Sequence, residues 1–176
     1  TLSNQLNLIN NISLEIIFNP SSEGYYGYFC DSGASLFMQG GGIGTGQTYP
    51  DIGIGISDCQ SDFPVIGVEF SDGSNSSYNY YSETGVLLDE DNHIVLTFKD
   101  GHLVTYLNNQ KVIDVITEIS NINYIVSNPS IPTLGGRTTS SNSVGYFLNG
   151  IYSRFAVYDE AYELEDINQM SVKQLQ

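Results

Sequence analysis

Apolar and polar residues alternate along most of this chain with a period of two, the pattern of strands with one buried face. In "NISLEIIFNP", Ile12, Leu14, Ile16 and Phe18 fall on one side. Pro20 ends the run, because it has no N–H to contribute to a ladder. The strongest instance is "NHIVLTFKDGHLVTYLNNQKVIDV". There Ile94, Leu96 and Phe98 alternate with Val95, Thr97 and Lys99, and Leu103, Thr105 and Leu107 alternate with Val104 and Tyr106. Asp100-Gly101 and Asn108-Asn109 are pairs that tolerate the positive φ of a tight hairpin, so a three-strand meander is predicted.

Shorter extended runs follow the same rule. They are "GYYGYFCDSG", "ASLFMQ", "DIGIGIS", "VIGVEFSD" and "YNYYS". "NYIVSNPSIPTLGG" brings a long connection and another strand, and "SVGYFLNGIYSRFAVYD" holds the last one or two. Gly53 and Gly55 mark a bulge or a close backbone approach. "GGGIGTG" has a phosphate-loop look, but no helix follows to present its N-terminus, so it reads as a flexible loop. The helical stretch is "EAYELEDINQM". Asp159 or Glu160 is expected to favour its N-terminus through the helix dipole, and Tyr162 and Ile167 to cover a sheet edge or rim. The prediction is an all-β antiparallel sandwich with a short C-terminal helix, less than about a tenth of the chain being helical.

Composition narrows the function classes. The 176 residues suit one domain spanning 1–176, with neither linker nor repeat. The chain lacks an initiator Met, so it reads as a domain cut from a longer protein, with flanking domains as neighbours. Five Lys and Arg against 20 Asp and Glu leave a net charge of −15. That balance repels phosphate backbones and anionic lipid, which argues against nucleic acid and membrane partners. No apolar run approaches the ~20 residues of a membrane span. Cys30 and Cys59 can pair or act as small buried hydrophobes, and they lack zinc-site spacing.

Three stretches carry a family resemblance: "HIVLTFKDGHLVTYLNNQKV", "IPTLGG" and "FLNGIYSRFAVYDEAYELEDI". They look like the hairpin, the Leu-Gly strand and the closing strand-plus-helix of the concanavalin A-like lectin/glucanase superfamily, in its laminin-G-like branch. The resemblance covers roughly residues 10 to 170. It implies a jelly roll in which the short helix follows the last long strand. Its motifs are structural, so fold follows from them more directly than function.

Some members of that superfamily hydrolyse glycosides with two carboxylates on one strand face. Here Asp89, Glu90 and Asp91 are consecutive, so neighbours face opposite ways, and "ELEDIN" lies in the helical stretch. His93 and His102 flank a hairpin and read as surface or edge residues. No Gly-x-Ser-x-Gly elbow occurs. The chain is therefore expected not to be an enzyme. "VIGVEFSDGSNSS" resembles the metal-binding strand of legume lectins, with Glu69 and Asn75 in matching places. Ser71 stands where that pattern has Asp, and Asp72 is one residue late, which turns its side chain to the other face. No metal ligand is assigned, and a structural calcium stays open.

Tyrosine remains. Its ring stacks on sugar faces and its hydroxyl adds a hydrogen bond. Tyr78, Asn79, Tyr80 and Tyr81 cluster in one run, and Tyr26 and Tyr28 in another. Those six residues are the candidate ligand contacts. Alternation sends Tyr78 and Tyr80 one way and Tyr81 the other, so one set packs and the other stays open. The resulting expectation is a non-catalytic module that recognises a glycan or a cell-surface receptor. It would be part of a larger extracellular, cell-surface or virion protein. The alternative is a structural or adhesive module that binds protein without binding carbohydrate.

Overall fold

Strand β1 (Asn11–Pro20) is paired antiparallel on both sides, with β6 (Asn92–Lys99) and with β12 (Gly150–Tyr158). Strands β7 (His102–Leu107) and β8 (Gln110–Ile116) extend that first sheet to the order β12-β1-β6-β7-β8. A second five-stranded sheet runs β5-β4-β3-β2-β9. Its members are β2 (Ser35–Gln39), β3 (Ile52–Ser57), β4 (Val65–Ser71), β5 (Ser77–Gly85) and β9 (Thr133–Leu134). A small ribbon joins β10 (Arg137–Thr138) to β11 (Val144–Gly145), and helix α1 (Leu164–Gln174) follows β12. This computed structural model describes residues 11–22, 35–39, 52–57, 63–71, 77–119, 132–138, 144–145 and 148–174. The run holding Tyr25 to Cys30, the Gly-rich loop 40–46, and Cys59 lie outside them.

The alternation read from the sequence decides what is buried. Ile12, Leu14, Ile16 and Phe18 of β1 meet Ile94, Leu96 and Phe98 of β6 and Leu103 and Leu107 of β7 on the inner face. From the second sheet, Leu36, Phe37, Ile52, Ile54, Ile56, Ile66, Val68 and Phe70 face them. Phe70 packs on Phe98 with ring centres 5.1 Å apart, and Phe37 on Phe155 at 5.2 Å, so aromatic pairs knit the two layers. The fold is an antiparallel β-sandwich jelly roll, as the strand pattern predicts. Both hairpin turns form where expected. Asp100 and Gly101 take φ of 48° and 86°, and Asn108 and Asn109 take 52° and 66°.

A bulge in β2 creates a tie between the layers. The register shifts between Ser35 and Phe37, which frees the Leu36 carbonyl from the ladder. That oxygen accepts the Tyr152 hydroxyl at 2.8 Å and the Gly135 N–H at 3.1 Å. Tyr152 belongs to the first sheet and Leu36 to the second. Burial pushes the Tyr152 phenol well above its ordinary pKa, so it is a hydrogen-bond donor at neutral pH.

The helix starts later than the sequence suggests. Helical geometry begins at Leu164, with Glu165 and Asp166 in the first turn, so Asp159 and Glu160 precede it. Ser13 is the reason. Its hydroxyl donates to the Glu160 carbonyl at 3.0 Å and accepts the Tyr162 N–H at 2.8 Å, holding this stretch against β1. Tyr162 meets Tyr158 edge-on at 5.5 Å, and Asn168 donates to Asn109 in the β7–β8 turn at 3.1 Å. Ile167 and Val95 are fully buried, yet neither belongs to the core between the sheets. The segment thus spans the outer face of the first sheet, where an edge or rim was expected. β9 is also shorter than the run "IPTLGG" suggests, at two residues.

Candidate functional site

The register of β4 against β5 decides which tyrosines share a face. Phe70 pairs with Tyr78 and Val68 with Tyr80, whereas Glu69 pairs with Asn79 and Gly67 with Tyr81. Phe70 and Val68 are core residues, so Tyr78 and Tyr80 turn inward and pack half-buried against the core. Asn79 and Tyr81 turn to the outer face of the second sheet, Asn79 exposed and Tyr81 half-buried. The four clustered candidates therefore divide into two back-to-back pairs. Tyr26 and Tyr28 lie outside the described residues.

Each pair has its own electrostatics. Burial raises the Tyr80 phenol above its ordinary pKa, and a hydrogen bond with the Glu118 backbone offsets part of that rise. Burial also raises Tyr81, and the Glu69 carboxylate adds to the effect. Tyr81 is thus a neutral donor beside a negative charge. Glu69 itself is only 7% exposed.

Across β4 the outer face is floored by glycine. Gly53 pairs with Glu69, and Gly55 with Gly67, in a register that runs unbroken from Ile52↔Phe70 to Ser57↔Val65. Gly53, Gly55 and Gly67 are all buried, so β3 is covered on both faces. Of the two readings of "IGIGIS", both find a place: the register with β4 is unbroken, while the bulge in β2 falls opposite Gly55 and Ile54. The outer face is therefore closed over β3 and around Glu69, and it opens at the edge strand β5, where Asn79 is exposed and Tyr81 half-buried. An exposed Asn79 amide beside the half-buried Tyr81 ring can hydrogen-bond and stack, which are the two contacts a sugar ring needs.

Other candidates fall elsewhere. Asp89, Glu90 and Asp91 sit in the β5–β6 connection, with Asp89 at φ 60°. Asn92 organises that connection. Its side chain accepts from Leu87 N–H at 3.0 Å and donates to the carbonyls of Leu87 and Glu90 at 2.7 and 3.0 Å. Of the residues matching a legume-lectin metal strand, Glu69 is on the outer face, while Asp72 and Asn75 lie outside the described residues. Among the described residues no three His, Cys, Asp or Glu side chains converge to hold a cation.

One polar cluster was not foreseen. Glu15 is fully buried on the outer face of the first sheet. Its Oε1 lies 3.0 Å from His93 Nε2, and its Oε2 accepts from Arg154 Nε at 2.7 Å and from the Tyr158 hydroxyl at 2.8 Å. The Glu15 carboxylate holds Arg154 above its ordinary pKa, and burial together with Glu15 raises Tyr158. His93 is thus drawn into a network, whereas His102 is an exposed residue 2.7 Å from Asp114. By alternation alone Glu15 is a solvent-facing strand residue. The clue available in the sequence was that Tyr162 and Ile167 needed a surface to cover.

No family model matches the chain, and no curated protein matches it. Solved structures do. The CBM40 of the Ruminococcus gnavus IT-sialidase, bound to α2,3-sialyllactose, aligns with a TM-score of 0.72 at 18% identity, over 92% of this chain and 82% of that one. Domain 4 of AbnA, a GH43 extracellular arabinanase from Geobacillus stearothermophilus in complex with arabinotriose, gives 0.61 at 14% identity over 94% and 68%. The SAP-like pentraxin of Limulus polyphemus gives 0.60 at 12% identity over 95% and 72%. At such identities the likeness is one of architecture: this chain has the β-sandwich jelly-roll fold of these structures, carbohydrate-binding modules among them.

Proposed function

We propose that this chain is a non-catalytic glycan-recognition module that takes its ligand on the outer face of the second sheet. The observation that carries the reading is the outward pair on the edge strand of that sheet, Asn79 exposed and Tyr81 half-buried. Tyr81 would stack on a sugar face, while Asn79 would meet hydroxyls. Two of the fold's solved counterparts hold oligosaccharides, which supports the class of ligand. The carboxylates of the β5–β6 connection give no strand-borne pair for hydrolysis, which supports recognition over catalysis.

The proposal extends to kinship and setting. The closing strand and helix, "FLNGIYSRFAVYDEAYELEDI", support a place in the concanavalin A-like superfamily. A single domain working beside flanking domains, in an extracellular, cell-surface or virion protein, is the setting in which such a module meets glycans. A glycan array probed with the chain and with Tyr81→Ala tests the reading. Binding that Tyr81→Ala weakens supports it. An array blank for the parent chain overturns it, as does binding that Tyr81→Ala leaves untouched.

A further inference from the structure

A second aromatic ring stands on the outer face of the second sheet near Tyr81. Strand β4 points outward at Val65, Gly67 and Glu69, because Ile66, Val68 and Phe70 fill the core. Val65 pairs with Gly85, so Gly85 faces outward as Tyr81 does. Phe63 occupies the side-chain place that Gly85 lacks: a Cβ on Gly85 would come within 2.9 Å of Phe63 Cδ2. Phe63 is itself 47% exposed. A bulge in β5 sets its distance from Tyr81. Residues 82–84 stand opposite Ile66, and Ser82 fixes them there. Its Oγ accepts the Ile66 N–H at 3.0 Å and donates to the Thr84 carbonyl at 2.8 Å. In a straight strand Tyr81 and Gly85 would lie about 13 Å apart. Here they stand opposite Gly67 and Val65, so about 7 Å of strand separates them.

The outward order along this edge is therefore Asn79, Tyr81, Phe63. Residues 1–98 contain no Lys or Arg, and β2, β3, β4 and β5 lie within them, so these strands bring no cation to clamp a charged ligand. Grip has to come from stacking and from neutral hydrogen bonds. A sugar chain suits both, because each unit carries a C–H-rich face for an aromatic ring and hydroxyls at its rim. Successive units are joined through one glycosidic oxygen, so a short chain can set one unit over each ring. Resting on the reading of Asn79 and Tyr81 as a glycan site, we propose that Phe63 is a second stacking subsite and that the ligand is a linear oligosaccharide of at least two units lying along β5. Tyr81 and Asn79 hold one unit, and Phe63 holds the next. A lone terminal sugar would leave Phe63 unused.

The test titrates the whole chain, by NMR so that weak binding is read, with cello-, xylo-, malto- and arabino-oligosaccharides and with lactosamine repeats, each from one unit to four. In a series that binds, two units should bind about tenfold more tightly than one, the scale of one added aromatic anchor. Phe63→Leu keeps apolar bulk and removes the ring, so it should abolish that gain and leave the affinity for one unit unchanged. Phe63→Tyr should keep the gain. Gly85→Ala, whose Cβ would push the Phe63 ring aside, should lose it, and this variant decides the matter if Phe63→Leu folds poorly. Tyr81→Ala should weaken binding at every length. An affinity that does not rise beyond one unit would overturn the inference and leave the glycan reading standing. So would a rise that Phe63→Leu and Gly85→Ala both preserve. No binding in any series would remove both.

Discussion

Tyr80 and Tyr81 are neighbours in sequence with opposite surroundings, so truncating them should have opposite consequences. Tyr80 packs against the core, and Tyr80→Ala should cost about 2 kcal/mol of stability, less than a fully buried aromatic would. Tyr81→Ala should leave the melting temperature nearly unchanged and weaken glycan binding by about tenfold, the usual scale for losing an aromatic anchor. Melting curves and titrations on the two variants check both halves. Thr105 makes a different point. It is fully buried, and its hydroxyl has no hydrogen-bond partner among the described residues. Thr105→Val should therefore raise stability by about 1 kcal/mol in a denaturant titration, because it removes an unpaired polar group and keeps the shape. Gly150 leaves no room for change. A Cβ there would meet the Asn19 carbonyl at 2.3 Å and the Phe18 ring at 2.4 Å. Gly150→Ala should destabilise by more than about 3 kcal/mol, which the same titration would report.

At the scale of elements, strands were legible wherever alternation was clean and turn chemistry bounded it. β1, β6, β7 and β8 show both features, and their registers follow from Ile12 to Phe18 and from the two hairpin pairs. The helix boundary was not legible, because a distant side chain sets it. "EAYELEDINQM" has helical character from Glu160 onward, but Ser13 takes the Glu160 carbonyl, which a helix begun there would need, and anchors the Tyr162 N–H beside it. A serine in a strand gives no sign of that role. Ser13→Ala should cost about 1–2 kcal/mol, the scale of two lost hydrogen bonds, and should speed amide exchange in α1 more than in the core strands. The candidate face was half legible. Alternation in "SYNYYS" separates Tyr80 from Tyr81, but choosing the outward one needs the pairing partner, Val68 for one and Gly67 for the other. Glu15 was hidden for the same reason as the helix boundary: covering it takes a segment more than a hundred residues away.

For the molecule as a whole, charge sets the response to acid. Asp89 sits below its ordinary carboxylate pKa because the Ser22 backbone and side chain hydrogen-bond to it. Asp114 does so because Lys111 and His102 do the same. A carboxylate with a depressed folded value contributes stability above its unfolded pKa of 3.8 and loses it as pH falls through the lower folded value. The melting temperatures of Asp89→Asn and Asp114→Asn should therefore lie below the parent's at neutral pH and converge with it as the solution is acidified below about 4. Curves that stay parallel down to low pH would show that these bonds carry no folding linkage.

The segregation of cations also decides how the protein can be handled. Its three lysines are Lys99 on β6, Lys111 on β8 and Lys173 in α1, all on the first sheet or on the helix docked to it. Labelling at the lysine side chains will consequently mark one side of the sandwich and spare the other. Coupled to a sensor surface through its lysines, the protein should stand with β3, β4 and β5 pointing into solution. Nearly every immobilised copy should then be competent to bind. Coupling through carboxylates, which occur on both sides, should give a mixed population with lower capacity for the same mass.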